Sequence, residues 1–166
     1  VGGAGDIEDV DVLSTYSSED VSEGAKDVKI MAFEVDADNG SDLALQNVKL
    51  AFQHNTTDNG SDRLNKYVTG VSVWSGSTKI GSANVDDFSE SSDVYTKSIV
   101  LTGAVVKAGG KATFVVAVDA ASSIDTGDQN ENWILGLDSI RFQDGSGVIT
   151  TDSTTGDLDT VSLPNA

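Results

Sequence analysis

Apolar residues recur at every second position along much of this 166-residue chain, and no sustained 3.6-residue stripe appears anywhere. Helical architectures are therefore excluded. In segment 47–54, Val48, Leu50 and Phe52 fall on one face while Lys49, Ala51 and Gln53 fall on the other, the pattern of a half-buried antiparallel strand. Ala112, Phe114, Val116 and Val118 repeat it. By contrast Ile30, Met31, Ala32 and Phe33 are consecutive, which suits a central or covered strand. Strands are expected at 10–13, 27–35, 47–54, 67–74, 78–85, 94–101, 111–119 and 132–142, with shorter ones at 148–150 and 158–163.

Turn signals separate these segments: DGSG at 144–147, WSGST at 74–78 and KAGGK at 107–111. Regular spacing of this kind predicts an all-β fold, an antiparallel β-sandwich of jelly-roll or immunoglobulin-like type with about 8–10 strands. The expected organisation is an N-terminal extension, 1–23, carrying a donor or edge strand, followed by the sandwich, 24–166.

Charge then removes whole classes of partner. With 27 acidic against 10 basic side chains the net charge is -17, so nucleic acid and anionic lipid are not expected partners. Cysteine is absent, which removes disulfides and thiol catalysis. No run of 18 apolar residues exists, so membrane insertion through a helix is not expected. The opening VGGAGDIED has neither the basic start nor the apolar stretch of a signal peptide, and reads as a mature terminus.

Three stretches resemble the immunoglobulin-like β-sandwich repeats of bacterial surface-layer and cell-surface structural proteins, of the candidate-phyla type. GAKDVKIMAFEVDA (24–37) looks like that family's first core strand. VSVWSGSTKIGSA (71–83) is similar to its aromatic hairpin, and VVKAGGKATFVVAVDA (105–120) to its Ala-Gly turn before a long strand. Val106-Lys107 departs from the family by standing where proline is common. The resemblance implies a structural role at the extracellular cell surface and no enzymatic activity.

Clustered carboxylates and amides in turns are oxygen ligands suited to calcium. The pentapeptide DNGSD occurs twice, and the wider clusters offer Asp36, Asp38, Asp42, Asp58, Asp62, Asp125, Asp128 and Glu131 as candidate ligands, the first three being preferred. Bound calcium would neutralise repulsion at seams between subunits. The competing reading is that Asp, Asn, Gly and Ser are turn formers needing no ion. Hydrolytic catalysis would rest on His54, the sole histidine, and neither a Gly-x-Ser-x-Gly elbow nor a His-Glu-x-x-His helix accompanies it.

Trp74 and Trp133, with tyrosines behind them, are the rings on which a carbohydrate would stack if the chain were a carbohydrate-binding or adhesive module contacting cell-envelope polysaccharide. The leading expectation is different. Around Ile7, Val10, Val12 and Leu13, apolar residues mix with acids as in a strand that inserts one face into a groove. Such a strand, donated to an adjacent copy, would make the chain a self-assembling subunit of a filament, tube or lattice. The alternative is that the same strand completes its own sheet.

Overall fold

A computed structural model describes residues 4–13, 16, 22–54, 63–123, 132–152 and 161–164. Eleven strands are found among them: β1 (Ile7–Leu13), β2 (Val28–Ala37), β3 (Leu43–His54), β4 (Val68–Ser75), β5 (Thr78–Asn84), β6 (Ser89–Ser91), β7 (Val94–Val106), β8 (Lys111–Ala120), β9 (Asn132–Gln143), β10 (Ile149–Asp152) and β11 (Val161–Pro164). Two 3-10 turns, Leu64–Lys66 and Val85–Asp87, bury one residue each, Leu64 and Val85. The expected all-β class holds.

Every strand pairing is antiparallel. A five-stranded sheet has the order β1-β2-β8-β4-β5, and a six-stranded sheet runs β10-β9-β3-β7-β6 with β11 also on β9. Since β3 covers one side of β9, β10 and β11 share the other side, at opposite ends. Non-consecutive neighbours such as β2 beside β8 and β3 beside β9 make this a sandwich in which the two sheets depend on each other.

Period two explains the core. Phe33, Val35, Phe114, Val116, Val118, Val71 and Val73 project from the five-stranded sheet, and Val48, Leu50, Phe52, Ile99, Leu135 and Ile140 from the other; all are essentially inaccessible. Each such side chain contributes about 1.5–3 kcal/mol by leaving water. Phe33 packs on Phe114 at 5.6 Å, and Phe52 meets Phe88 edge-on at 5.7 Å.

Several elements depart from expectation, β1 among them, which begins at Ile7 instead of residue 10. Strand β2 continues to Ala37, because Val35 and Ala37 keep pointing inward while Asp36 points outward. Strand β3 begins at Leu43, and β7 runs on to Val106 through an irregularity that alternation cannot reveal. Strand β6 was not expected at all: Ser89, Glu90 and Ser91 carry no apolar residue and are fully exposed at a sheet edge.

Candidate functional site

The N-terminal strand occupies the free edge of its own five-stranded sheet. Strand β1 pairs with β2 through Val10↔Val35, Asp11↔Glu34 and Val12↔Phe33, and Ile7 and Val10 are buried in the core. Val12 packs against the core in part, and Leu13 is half-exposed. This is the self-completing arrangement that the sequence set beside donation to a neighbour.

Electrostatics oppose that pairing. Asp9 stands opposite Asp36 and Asp11 opposite Glu34, so four carboxylates share one patch on the outward face. Lys111 answers them from β8, its Nζ 3.7 Å from Glu34 and 3.8 Å from Asp36. Among the described residues, one cation faces four anions. The neighbouring Asp9 charge raises the Asp11 pKa above the ordinary carboxylate value, helped by burial and by Asp36 and Glu34. Asp36 Oδ1 is buried without a hydrogen-bond partner.

Just before β1, the chain is stitched to loops at one end of the sandwich. Asp38 donates its amide to the Asp6 carbonyl at 3.0 Å, and Gly5 donates to Asp144 Oδ2 at 3.2 Å. The Ser41 hydroxyl, fully buried, accepts from the Gly145 amide at 3.0 Å. Gly40 lies against the Ala4 carbonyl so closely that no Cβ fits there. The terminal segment thus touches both sheets.

The preferred calcium ligands lie among and beside these contacts. Asp38 Oδ1 accepts from the Gly40 amide at 2.9 Å, closing a tight Asx turn. Asp42 Oδ1 accepts from the Ala108 amide at 2.9 Å, and its Oδ2 lies 3.4 Å from Lys107 Nζ. The Ala108 amide, with Lys107, holds the Asp42 carboxyl below its usual pKa. Asp36 belongs to a strand, directed to Lys111. Asp36, Asp38 and Asp42 are therefore not gathered on one point, and among the described residues no group of three or more His, Cys, Asp or Glu is arranged to hold an ion. Asp58, Asp62, Asp125, Asp128 and Glu131 lie outside the described residues.

The two tryptophans are not brought together. Trp133 is fully buried on β9, with Tyr67 at 5.3 Å and Tyr95 at 6.0 Å from its ring, so it has no face to offer a sugar. Trp74 is half-buried on the outward face of β4. Its Nε1 donates to Ser72 Oγ at 2.9 Å, and Lys79 Nζ stands 5.4 Å from its ring centre. His54 ends β3, paired in register with Trp133.

Sequence reasoning missed Glu34, Lys111 and Asp144, because their importance comes from strands remote in sequence. Asp144 was legible only as a turn residue, yet its carboxylate takes the Ser146 hydroxyl at 2.7 Å and the Ser146, Val148 and Gly5 amides. The Ser146 hydroxyl is the main cause of its lowered pKa, the amides adding to it.

The chain matches no protein-family model and no curated protein. Among solved structures it is similar to AvmM, which catalyses macrocyclization in alchivemycin A biosynthesis, at 12% identity, TM-score 0.44, over 96% of this chain and 88% of that one. A chain of a type I cohesin–dockerin complex from Clostridium thermocellum is similar at 8% identity and TM-score 0.36, over 95% and 99%. BcpA, the major pilin subunit of Bacillus cereus, is similar at 11% identity and TM-score 0.30, over 98% of this chain and 41% of the pilin.

Proposed function

We propose that this chain is a non-catalytic structural module of an extracellular surface assembly, and that copies join by exchanging strand β1. The observation that carries this reading is the way β1 is tethered. Adjacent antiparallel strands are ordinarily joined by two to five residues, whereas fourteen, residues 14–27, separate β1 from β2. The Gly24 amide is held by the Ala121 carbonyl, and at about 3.3 Å per residue the ten residues ahead of it, 14–23, are long enough when extended to deliver β1 to a neighbouring molecule.

The same sequence then fills the same groove in another copy, with Ile7 and Val10 buried as they are here. Exchange makes and breaks identical contacts, so the acid pairs Asp9–Asp36 and Asp11–Glu34 leave the balance between closed and exchanged forms untouched. They lower the barrier to opening instead. The resemblance to surface-layer repeats supports the same role. Calcium at the acidic residues outside the described ones would moderate the repulsion between copies.

Because the chain has no cysteine of its own, an engineered pair reports cleanly. Val10→Cys with Val35→Cys places thiols at directly opposed positions of β1 and β2. Concentrated wild-type protein, followed by size-exclusion chromatography with light scattering, is expected to form oligomers. In 1 M salt, where contacts between charged surfaces are screened, the oxidised pair should remain monomeric, and reductant should restore assembly. A wild-type chain monomeric at every concentration, or a locked chain that oligomerises as readily, would refute the exchange.

A further inference from the structure

On the face opposite the acidic patch, the six-stranded sheet opens into a hollow. Two successive rungs of the β3–β7 ladder are Leu45↔Ala104 and Asn47↔Val100, so Gln46 bulges from β3 and Leu101, Thr102 and Gly103 bulge from β7. Gly103 supports the detour with φ +75°. The strands part there and leave a space of about 540 Å³ lined by Ala44, Gln46, Asn47, Val100, Val105 and Arg141 among others.

Three features in and beside the hollow point to one kind of occupant. Val100 is 70% exposed and Val105 45%, unusual for valines within a strand. Arg141, opposite Asn47 on β9, is exposed and makes no ion pair or side-chain hydrogen bond among the described residues. Beside the lining, two rungs beyond Asn47 on β3 and flanked by Ser98 and Ser139, Lys49 adds a second cation without an ion-pair partner among those residues. A free guanidinium beside carboxamides recognises a carboxylate in two-pronged fashion, and the valines accept an aliphatic neighbour.

The chain carries that combination itself. Strand β1, IEDVDVL, is a free edge with Glu8, Asp9 and Asp11 exposed, Leu13 half-exposed, and no basic residue. Its acids join Glu34 and Asp36 in a patch where Lys111 is the one lysine paired among the described residues. We infer that the β3–β7–β9 hollow of one copy docks the acidic β1–β2 edge of another. Such a contact uses two different surfaces, so each copy keeps one of each free and the association propagates head to tail. This inference rests on the reading above only in taking a second copy as the partner; it needs no exchange of strands.

Charge reversal in the full chain tests it, with the Val10–Val35 disulfide in place so that exchange cannot contribute. In sedimentation velocity at low salt, Arg141→Glu should weaken self-association about tenfold or more. Asp9→Lys with Asp11→Lys should do the same. Neither change touches the core, and circular dichroism checks that each folds. An equimolar mixture of the two variants should recover association, because each hollow then meets an edge of opposite charge. A mixture no better than its components, or association indifferent to Arg141→Glu, overturns the hollow while leaving self-assembly standing. A locked chain that stays monomeric also overturns it, and the unlocked chain then reports on exchange separately.

Discussion

The amide of Gly5 donates to Oδ2 of Asp144 across a separation of 139 residues, fastening the approach to β1 onto the β9–β10 turn of the other sheet. The same carboxylate holds that turn through the Ser146 and Val148 amides. Asp144→Ala should therefore do more than loosen a hairpin. We expect Tm to fall by roughly 2–4 °C, with the β1 amides exchanging hydrogen faster than those of β8. Faster exchange confined to residues 144–148 would show that the terminal segment is held by other means.

Acid should act on β1 in two opposite steps. Asp42 and Asp144 have depressed pKa values, so the stability they supply is complete above the ordinary value of 3.8 and is lost as pH falls through their folded values. Asp11 is raised, so its charged form costs stability above its folded pKa, and that cost is relieved as pH falls toward 3.8. Hydrogen exchange of residues 7–13 should slow on going from neutral pH to just above 4, after correction for intrinsic rates, then quicken in stronger acid. A steady loss of protection from neutrality downward would contradict this. Asp11→Thr should raise Tm at low salt, and the gain should shrink in 1 M salt, where the screening length is about 3 Å.

Local alternation carried most of the architecture. Val48, Leu50 and Phe52 announce β3, and Ala112 to Val118 announce β8, because one buried face imposes period two on the sequence. What stayed hidden depends on who pairs with whom. Asp36 reads as the first residue of an acidic loop, but it is a strand residue whose meaning comes from Asp9 and Lys111, at positions no local pattern connects. Likewise, the hollow needs the bulges at Gln46 and Leu101–Gly103 to fall side by side, a coincidence of register. Trp133 shows the remaining ambiguity: a tryptophan at the start of a strand looks the same whether it faces a sugar or the core.

Fluorescence should separate the two tryptophans. Trp133, fully buried against Tyr67 and Tyr95, should emit to the blue of Trp74, and Trp74→Phe should leave only that blue component. Polysaccharide should not quench it. Trp133→Ala should cost about 3–5 kcal/mol. Quenching of the Trp74→Phe variant by a soluble glycan would mean that Trp133 is reachable, contrary to the packing described.

Where β5 meets β7, the sandwich closes on a glycine. A Cβ at Gly81 would stand 2.5 Å from the Val100 carbonyl oxygen, 3.0 Å from Leu101 Cδ2 and 3.1 Å from Ile99 Cγ2. The first of these is backbone and cannot swing aside. Gly81→Ala should therefore cost about 1–3 kcal/mol by forcing the strands apart, and Gly81→Asn should cost at least as much. Gly76 provides the contrast: it has φ +62° and nothing within 4 Å, so its Ala variant suffers only from backbone conformation. Asn tolerates that conformation, so Gly76→Asn should recover much of the loss. Since Val100 also lines the hollow, pushing β7 away from Gly81 should weaken self-association of the locked chain as well. Thermal melts of the four variants, read beside sedimentation of Gly81→Ala, check both links. Equal rescue by Asn at the two positions would show that crowding at Gly81 is not what closes the edge.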